Sequence, residues 1–228
     1  MNTQSIAKIS RVEACIFDLD GTLIDSVGDI ANAINHALNK LELATVSRDQ
    51  VREWVGAGLP VLCQRAAAYA HINDRWHDIE RWARPYYQKH CAETTVAYEG
   101  IEALLAGLQQ YGLPMAVLSN KPHDMVVEVL RALGLEQYFL VARGYVDEAT
   151  KKPAPHVAEE ICRALNHAPE HVAMVGDSVI DIETARNAGM VSIAVTWGFE
   201  PPVALATAGP DMMVDSTAEL RVCLVKQM

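Results

Sequence analysis

Short apolar runs alternate with helical stretches through most of this chain, and that alternation limits its fold more than any other feature. Val12 to Phe17 is apolar except for Glu13, and 114–118, 171–175 and 191–195 are further runs of strand length. Between them lie segments with apolar residues at three- and four-residue spacing. These are 100–110, ended by Gly112; 123–133, ended by Gly134; 155–165; and 179–188, ended by Gly189. Weaker strands fall near 139–142 and 212–214, the second before a closing helix. Continuous apolar strands separated by helices predict an α/β fold with a parallel sheet covered on both faces.

The pattern breaks once, between Ser26 and Thr94, where the sequence is almost purely helical. Ile30, Ala33, Ile34, Ala37, Leu38 and Leu41 form one face of a helix over 27–41. Ser47 and Gln50 read as a capping box opening a short helix through Trp54. Gly56-Ala57-Gly58 breaks the chain, and Pro60 reads as the first residue of a helix running to about Ala70. Another helix spans 74–91. This insertion follows the first strand directly, so it rises from the carboxyl end of the sheet. Open α/β sheets place their ligands there, and a helical domain at that edge is positioned to act as a lid. The expected organisation is a core of residues 1–25 and 95–228 with an inserted all-helical cap over 26–94.

Composition removes several classes of function. A net charge of −10 provides no basic stripe for phosphate backbones, so nucleic acid is not an expected partner. Cys15, Cys63, Cys91, Cys162 and Cys223 are odd in number and scattered, which argues against a disulfide framework or a zinc site. No apolar run approaches the roughly 20 residues of a membrane span, and 1–11 lacks the apolar segment of a secretory signal. The expectation is a cytoplasmic protein without a membrane partner. The eight histidines show no metal-ligand spacing and most read as surface residues, with His123, just after Ser119-Asn120-Lys121-Pro122, the one near the strand-end polar residues.

The chemically distinctive residues stand at strand ends. The first strand runs into Asp18-Leu19-Asp20-Gly21, the second into Ser119-Asn120-Lys121, and the run at 171–175 into Gly176-Asp177-Ser178, with Asp181 beyond. Lys151-Lys152-Pro153 precedes a helix. Taken alone, Asp18 to Gly21 is either a strand closing in an Asp-Gly turn or a pair of carboxylates held by a cation or by a proton on one of them. A parallel sheet would gather these strand ends. Clustered carboxylates suit Mg²⁺, which takes one or two of them beside water and phosphate oxygens. A serine hydroxyl, a lysine and backbone N–H groups suit phosphoryl oxygens. No Gly-x-x-x-x-Gly-Lys-Ser/Thr loop is present, so the site is not of the P-loop kind.

Phe17-Asp18-Leu19-Asp20-Gly21-Thr22-Leu23, Ser119-Asn120-Lys121, Lys152-Pro153 and Gly176-Asp177-Ser178-Val179-Ile180-Asp181 resemble, in order, the four motifs of the haloacid dehalogenase-like hydrolases. The resemblance covers essentially the whole chain and implies a Rossmann-like core with the smaller helical cap type. In that family phosphatases carry the second aspartate and dehalogenases lack it, so Asp20 points to a phosphatase. With Val55 to Leu62 and the Lys-Lys-Pro motif, the pattern is most similar to the bacterial phosphoglycolate phosphatases. Lys151 stands where many relatives have glycine, and Lys152 is the catalytic candidate by its place before Pro153.

The resemblance implies a division of labour. Asp18 is the expected nucleophile, forming an aspartyl-phosphate, and Asp20 the acid and then the base. Mg²⁺ is expected on the Asp18 carboxylate, the Asp20 backbone carbonyl and Asp177. Ser119, Asn120 and Lys152 are expected to hold the phosphoryl group, and Asp181 to orient Lys152 or metal-bound water. The expected substrate is a small phosphorylated metabolite such as 2-phosphoglycolate, its carboxylate met near Gly56–Gly58 by Arg65; otherwise that region is an ordinary loop and a surface arginine. A sugar phosphate, a nucleotide or pyrophosphate as substrate, a phosphomutase, and a non-catalytic phosphometabolite-binding protein are the alternatives. A monomer and a homodimer are both compatible with the sequence.

Overall fold

The computed structural model describes residues 8–225. Six parallel strands form the central sheet in the spatial order β5-β4-β1-β6-β7-β8. They are β1 (Ala14–Phe17), β4 (Met115–Pro122), β5 (Val141–Tyr145), β6 (Val172–Gly176), β7 (Val191–Val195) and β8 (Met212–Val214). Strand β1 lies between β4 and β6, pairing Phe17 with Val117 on one side and Val175 on the other. The chain therefore builds outward from β1 in one direction and then in the other. That reversal of strand order is where open α/β sheets bind ligands.

Both faces of the sheet are covered, which is why its strands read as apolar runs rather than alternating ones. Cys15 and Phe17 of β1 face a layer that includes α5 (Ile101–Tyr111), α6 (His123–Ala132) and α10 (Thr217–Leu224). Ala14 and Ile16 face the opposite layer, with α7 (Pro155–Ala164) and α8 (Val179–Ala188). One more helix, α9 (Pro202–Ala208), joins β7 to β8.

Between β1 and β4 the chain forms α1 (Val27–Lys40), α2 (Arg48–Arg52), α3 (Leu59–Tyr69) and α4 (Trp76–His90). Their entry and exit are tied by a two-stranded antiparallel ribbon, β2 (Ile24–Asp25) with β3 (Val96–Ala97), which the apolar pattern did not announce. Asp29 reinforces this neck. Its buried carboxylate accepts from the backbone N–H and hydroxyl groups of both Thr94 and Thr95, at 2.6–3.0 Å. No helix among the described residues is long and apolar enough to cross a membrane.

Several boundaries differ from the sequence reading for identifiable reasons. Strand β4 continues to Pro122 because β5 pairs with it at Ser119, opposite Gly144, and again at Pro122, opposite Tyr145, with an irregularity in register at Asn120 and Lys121 between them. Strand β5 spans 141–145 rather than 139–142. Pro60 is the second residue of α3, with Gly58 as its N-cap at φ +87°. At Ser47 half of the capping box forms: its hydroxyl accepts from the Gln50 N–H, while the Gln50 side chain donates to Glu53. A complete box lies elsewhere, between Ser178 and Asp181 at the start of α8.

Candidate active site

Asp18 and Asp20 stand just beyond the carboxyl end of β1, where the backbone is still held by β6 through Asp18 N–H to the Val175 carbonyl, 2.8 Å. Lys152 reaches this point from the loop before α7. Its Nζ lies 2.7 Å from Oδ1 of Asp18 and 2.7 Å from Oδ1 of Asp181. The other Asp181 oxygen accepts from Ser178 Oγ at 2.6 Å and from the Ser178 N–H at 3.1 Å. The capping box of α8 thus fixes the acid that steadies the lysine. Lys151 points to different partners, Glu148 at 2.6 Å and the Tyr145 ring.

Asn120 is spent on the same lysine. Its Oδ1 accepts from the Lys152 N–H at 2.8 Å and its Nδ2 donates to the Lys152 carbonyl at 3.2 Å. Ser119 is buried in the strand between Leu118 and Asn120, and its hydroxyl accepts from the Lys121 N–H at 3.2 Å. Asp177 is held from both oxygens, accepting from Thr22 Oγ1 at 3.0 Å and from the Phe199 N–H at 2.8 Å. Gly21 is required beside it: φ is +93°, and a Cβ would lie 2.1 Å from the Asp177 carboxylate.

Carboxylate oxygens of Asp18, Asp177 and Asp181 all lie within 4.8 Å of one another, and all three residues are buried. Burial pushes the Asp18 carboxyl up to about 7, although Lys152 pulls it down and Asp181 and Asp20 add to the rise. Burial, then the charges of Asp18 and Asp181, push Asp177 well above the ordinary carboxylate range. For Lys152, burial opposes the ammonium, but Asp18 and Asp181 outweigh it and hold the proton on. With all three carboxylates ionised, the one ammonium leaves the cluster short of neutrality by two positive charges; burial and that deficit together push protons onto Asp18 and Asp177. All its donors are oxygens. A hard divalent cation fits that deficit and that donor set.

The carboxylate of Asp20 is engaged differently. Its Oδ1 accepts from Ser26 Oγ at 2.5 Å and from Lys121 Nζ at 2.9 Å. Lys121 is itself bonded to the Tyr87 hydroxyl of α4 and sits over the Tyr87 ring. The sequence reading quoted Lys121 within a motif but assigned it nothing; only the packing of α4 against β4 reveals its partners. Arg65 is exposed and donates to the Trp54 carbonyl at 2.7 Å. Arg52, also unassigned, lies 3.1 Å from Asp25 and over the Phe199 ring.

Two cavities meet at Asp18 and Asp20. The larger, about 430 Å³, is lined by Arg52, Arg65, Asp177 and Ser178. The smaller, about 50 Å³, lies under α1 and α3 and is lined by Ser119, Lys121, Tyr87 and apolar side chains.

Fold and site together define an α/β enzyme whose parallel sheet delivers acids and a lysine to one edge. A family model for haloacid dehalogenase-like hydrolases matches residues 15–195. The chain is 35% identical to a phosphoglycolate phosphatase of Chromobacterium violaceum, covering 93% of this chain and 96% of that one. It is 33% identical to a phosphoglycolate phosphatase of Colwellia psychrerythraea, covering 95% and 99%. A crystal structure described as a predicted phosphoglycolate phosphatase from Haemophilus somnus superposes with a TM-score of 0.85 at 30% identity, covering 92% and 96%. The chain belongs to the haloacid dehalogenase-like hydrolase family.

Proposed function

We propose that this hydrolase, a phosphoric monoester hydrolase like the relatives named above, is a Mg²⁺-dependent phosphatase that acts through an aspartyl-phosphate, with 2-phosphoglycolate as substrate. The observation that carries the reading is the separation of the two β1 acids. Asp18 lies in the Lys152 and carboxylate cluster, while Asp20 is turned to Ser26 and Lys121. Two acids in different surroundings can divide nucleophilic and proton-transfer work. The relatives' names support the choice of substrate.

In this mechanism an Asp18 oxygen attacks phosphorus as the bond to the leaving oxygen breaks. Asp20 donates its proton to that oxygen and the alcohol departs. Asp20, now a carboxylate, takes a proton from water, whose oxygen attacks phosphorus and frees phosphate and the Asp18 carboxylate. Lys152 and Ser119 bind phosphoryl oxygens; Asp181 and Asn120 hold Lys152 in place. The Asp18 and Asp177 carboxylates and the Asp20 carbonyl would hold the metal. When bound it neutralises charge between the nucleophile and the phosphoryl group and orients the transfer. The helical segment 26–94 serves as the cap that closes over the leaving group.

The test is phosphate release from a panel of phosphoesters. Release from 2-phosphoglycolate that stops with EDTA, returns with Mg²⁺ and is lost in Asp18→Asn is expected. Phosphate release by Asp18→Asn at the normal rate would remove Asp18 from its role, and preference for a sugar phosphate would remove the substrate.

A further inference from the structure

The two cavities that meet at Asp18 and Asp20 differ in chemistry, and that difference bears on how an anionic leaving group is chosen. The larger cavity takes Arg52 and Arg65 at its walls, but Arg65 is exposed and Arg52 partly so. Ion pairs in such surroundings discriminate weakly. On its cap side the smaller cavity is walled by Ile30, Val55, Leu59, Leu62 and Tyr87; Asp18 and Asp20 line it where it meets the larger one, and Lys121 is the one cation in its lining. At about 50 Å³ it has room for about four water-sized groups. A leaving group of two or three carbons fits a space of that size.

Lys121 is equipped to read such a group. Its side chain is 1% exposed, against 14% for Asp20. An ammonium has three donors. One goes to Asp20 and one to the Tyr87 hydroxyl, which leaves a third beside the cavity that Lys121 lines. A carboxylate on a short leaving group would find there a buried, already oriented cation amid apolar walls, where a charged hydrogen bond is strong. A neutral group of the same size would leave that donor unmet.

We infer that Lys121, rather than Arg65, is the specificity-determining residue for an anionic substituent on the leaving group, and that the small cavity under α1 and α3 receives it. The inference rests on the phosphatase reading for its site but goes beyond it in naming the recognising group and the cavity that receives the substituent. The role is one of binding; Lys121 transfers no proton.

The experiment compares 2-phosphoglycolate with ethyl phosphate, similar in size but without the carboxylate. Wild type, Lys121→Met, Lys121→Arg and Arg65→Ala are assayed with Mg²⁺ for kcat/KM, and thermal melts establish that each is folded. Loss of the Lys121 contact to Asp20 affects both esters alike, so the ratio between them isolates recognition of the carboxylate. Lys121→Met is expected to lower the preference for 2-phosphoglycolate about 10–100-fold, with most of it retained in Lys121→Arg and all of it in Arg65→Ala. Equal losses on both esters in Lys121→Met, or loss of preference in Arg65→Ala, would overturn the inference. Calorimetric titration of both esters into Asp18→Asn, with and without Lys121→Met, gives the same ratio from binding. Failure of the phosphatase reading, with no ester cleaved, is thereby distinguished from failure of the Lys121 assignment.

Discussion

Lys152 Nζ lies 2.7 Å from Asp18 Oδ1, and both side chains are buried. The pair is locked from behind, because Asp181 holds the same ammonium at 2.7 Å. Removing the lysine leaves two buried acids without a counter-ion, so Lys152→Met is expected to destabilise the metal-free protein by about 3–5 kcal/mol. Urea unfolding in EDTA measures this. A change below about 1 kcal/mol would mean the acids find another partner. Phosphatase activity is expected to vanish even where Mg²⁺ restores the fold.

The raised Asp18 carboxyl fixes the sign of a pH effect. Its folded value is about 7, above the ordinary carboxyl value expected when unfolded. Between roughly pH 4 and 7 the native state therefore binds more protons than the unfolded one, and stability falls as pH rises. The loss is of order 4 kcal/mol by pH 8, and the rise in Asp177 adds in the same direction. The melting temperature of EDTA-treated protein should decline from pH 5 to pH 8, with the gain from added Mg²⁺ larger at pH 8. A melting temperature that climbs over that range would contradict the assignment.

Gly21 sets the distance between the β1 acids and Asp177. In Gly21→Ala a methyl group would lie 2.1 Å from the Asp177 carboxylate, on a backbone with φ +93° that disfavours side chains. Asp177 must shift, and its bonds to Thr22 and Phe199 with it. The expected outcome is weakened Mg²⁺ binding, seen by calorimetry, and a fall in kcat of at least about 100-fold. Normal Mg²⁺ affinity would show that Asp177 is not held by this contact.

Asp29 anchors the neck of the helical segment through four donors on Thr94 and Thr95. Asp29→Ala leaves the buried Thr95 N–H without its partner and frees the exposed Thr94 to water, at about 1–3 kcal/mol. Hydrogen exchange should report the loss first in α1 and at Thr94–Thr95, with β1 and β6 the last to open. Uniform loss across the sheet would mean the neck is not a local hinge.

Much of this protein was legible in the order of its residues. Runs such as 172–175, and 191–195 apart from Ser192, are apolar because their strands are buried on both faces, a property of the sequence itself. Acids, serine and lysine at run ends could be gathered on one edge without coordinates, since parallel strands all finish there. Local patterning could not reach what depends on contacts distant in sequence. Ser119 to Lys121 looked like the end of a strand because polarity stops the apolar pattern, yet backbone pairing with β5 continues it. Nothing in the helical spacing of 27–41 singles out Asp29; the return of Thr94 and Thr95 makes it the bolt of the neck.

The β1 acids show the same boundary. That Asp18 and Asp20 sit together, two residues apart on a turn, was written in the chain. Which acid would face Lys152 and the other carboxylates, and which would face Lys121, Ser26 and Tyr87, was decided only by tertiary packing. The charge environment of a buried carboxylate is set by groups within a few Å of it, and here most of those groups arrive from far along the chain.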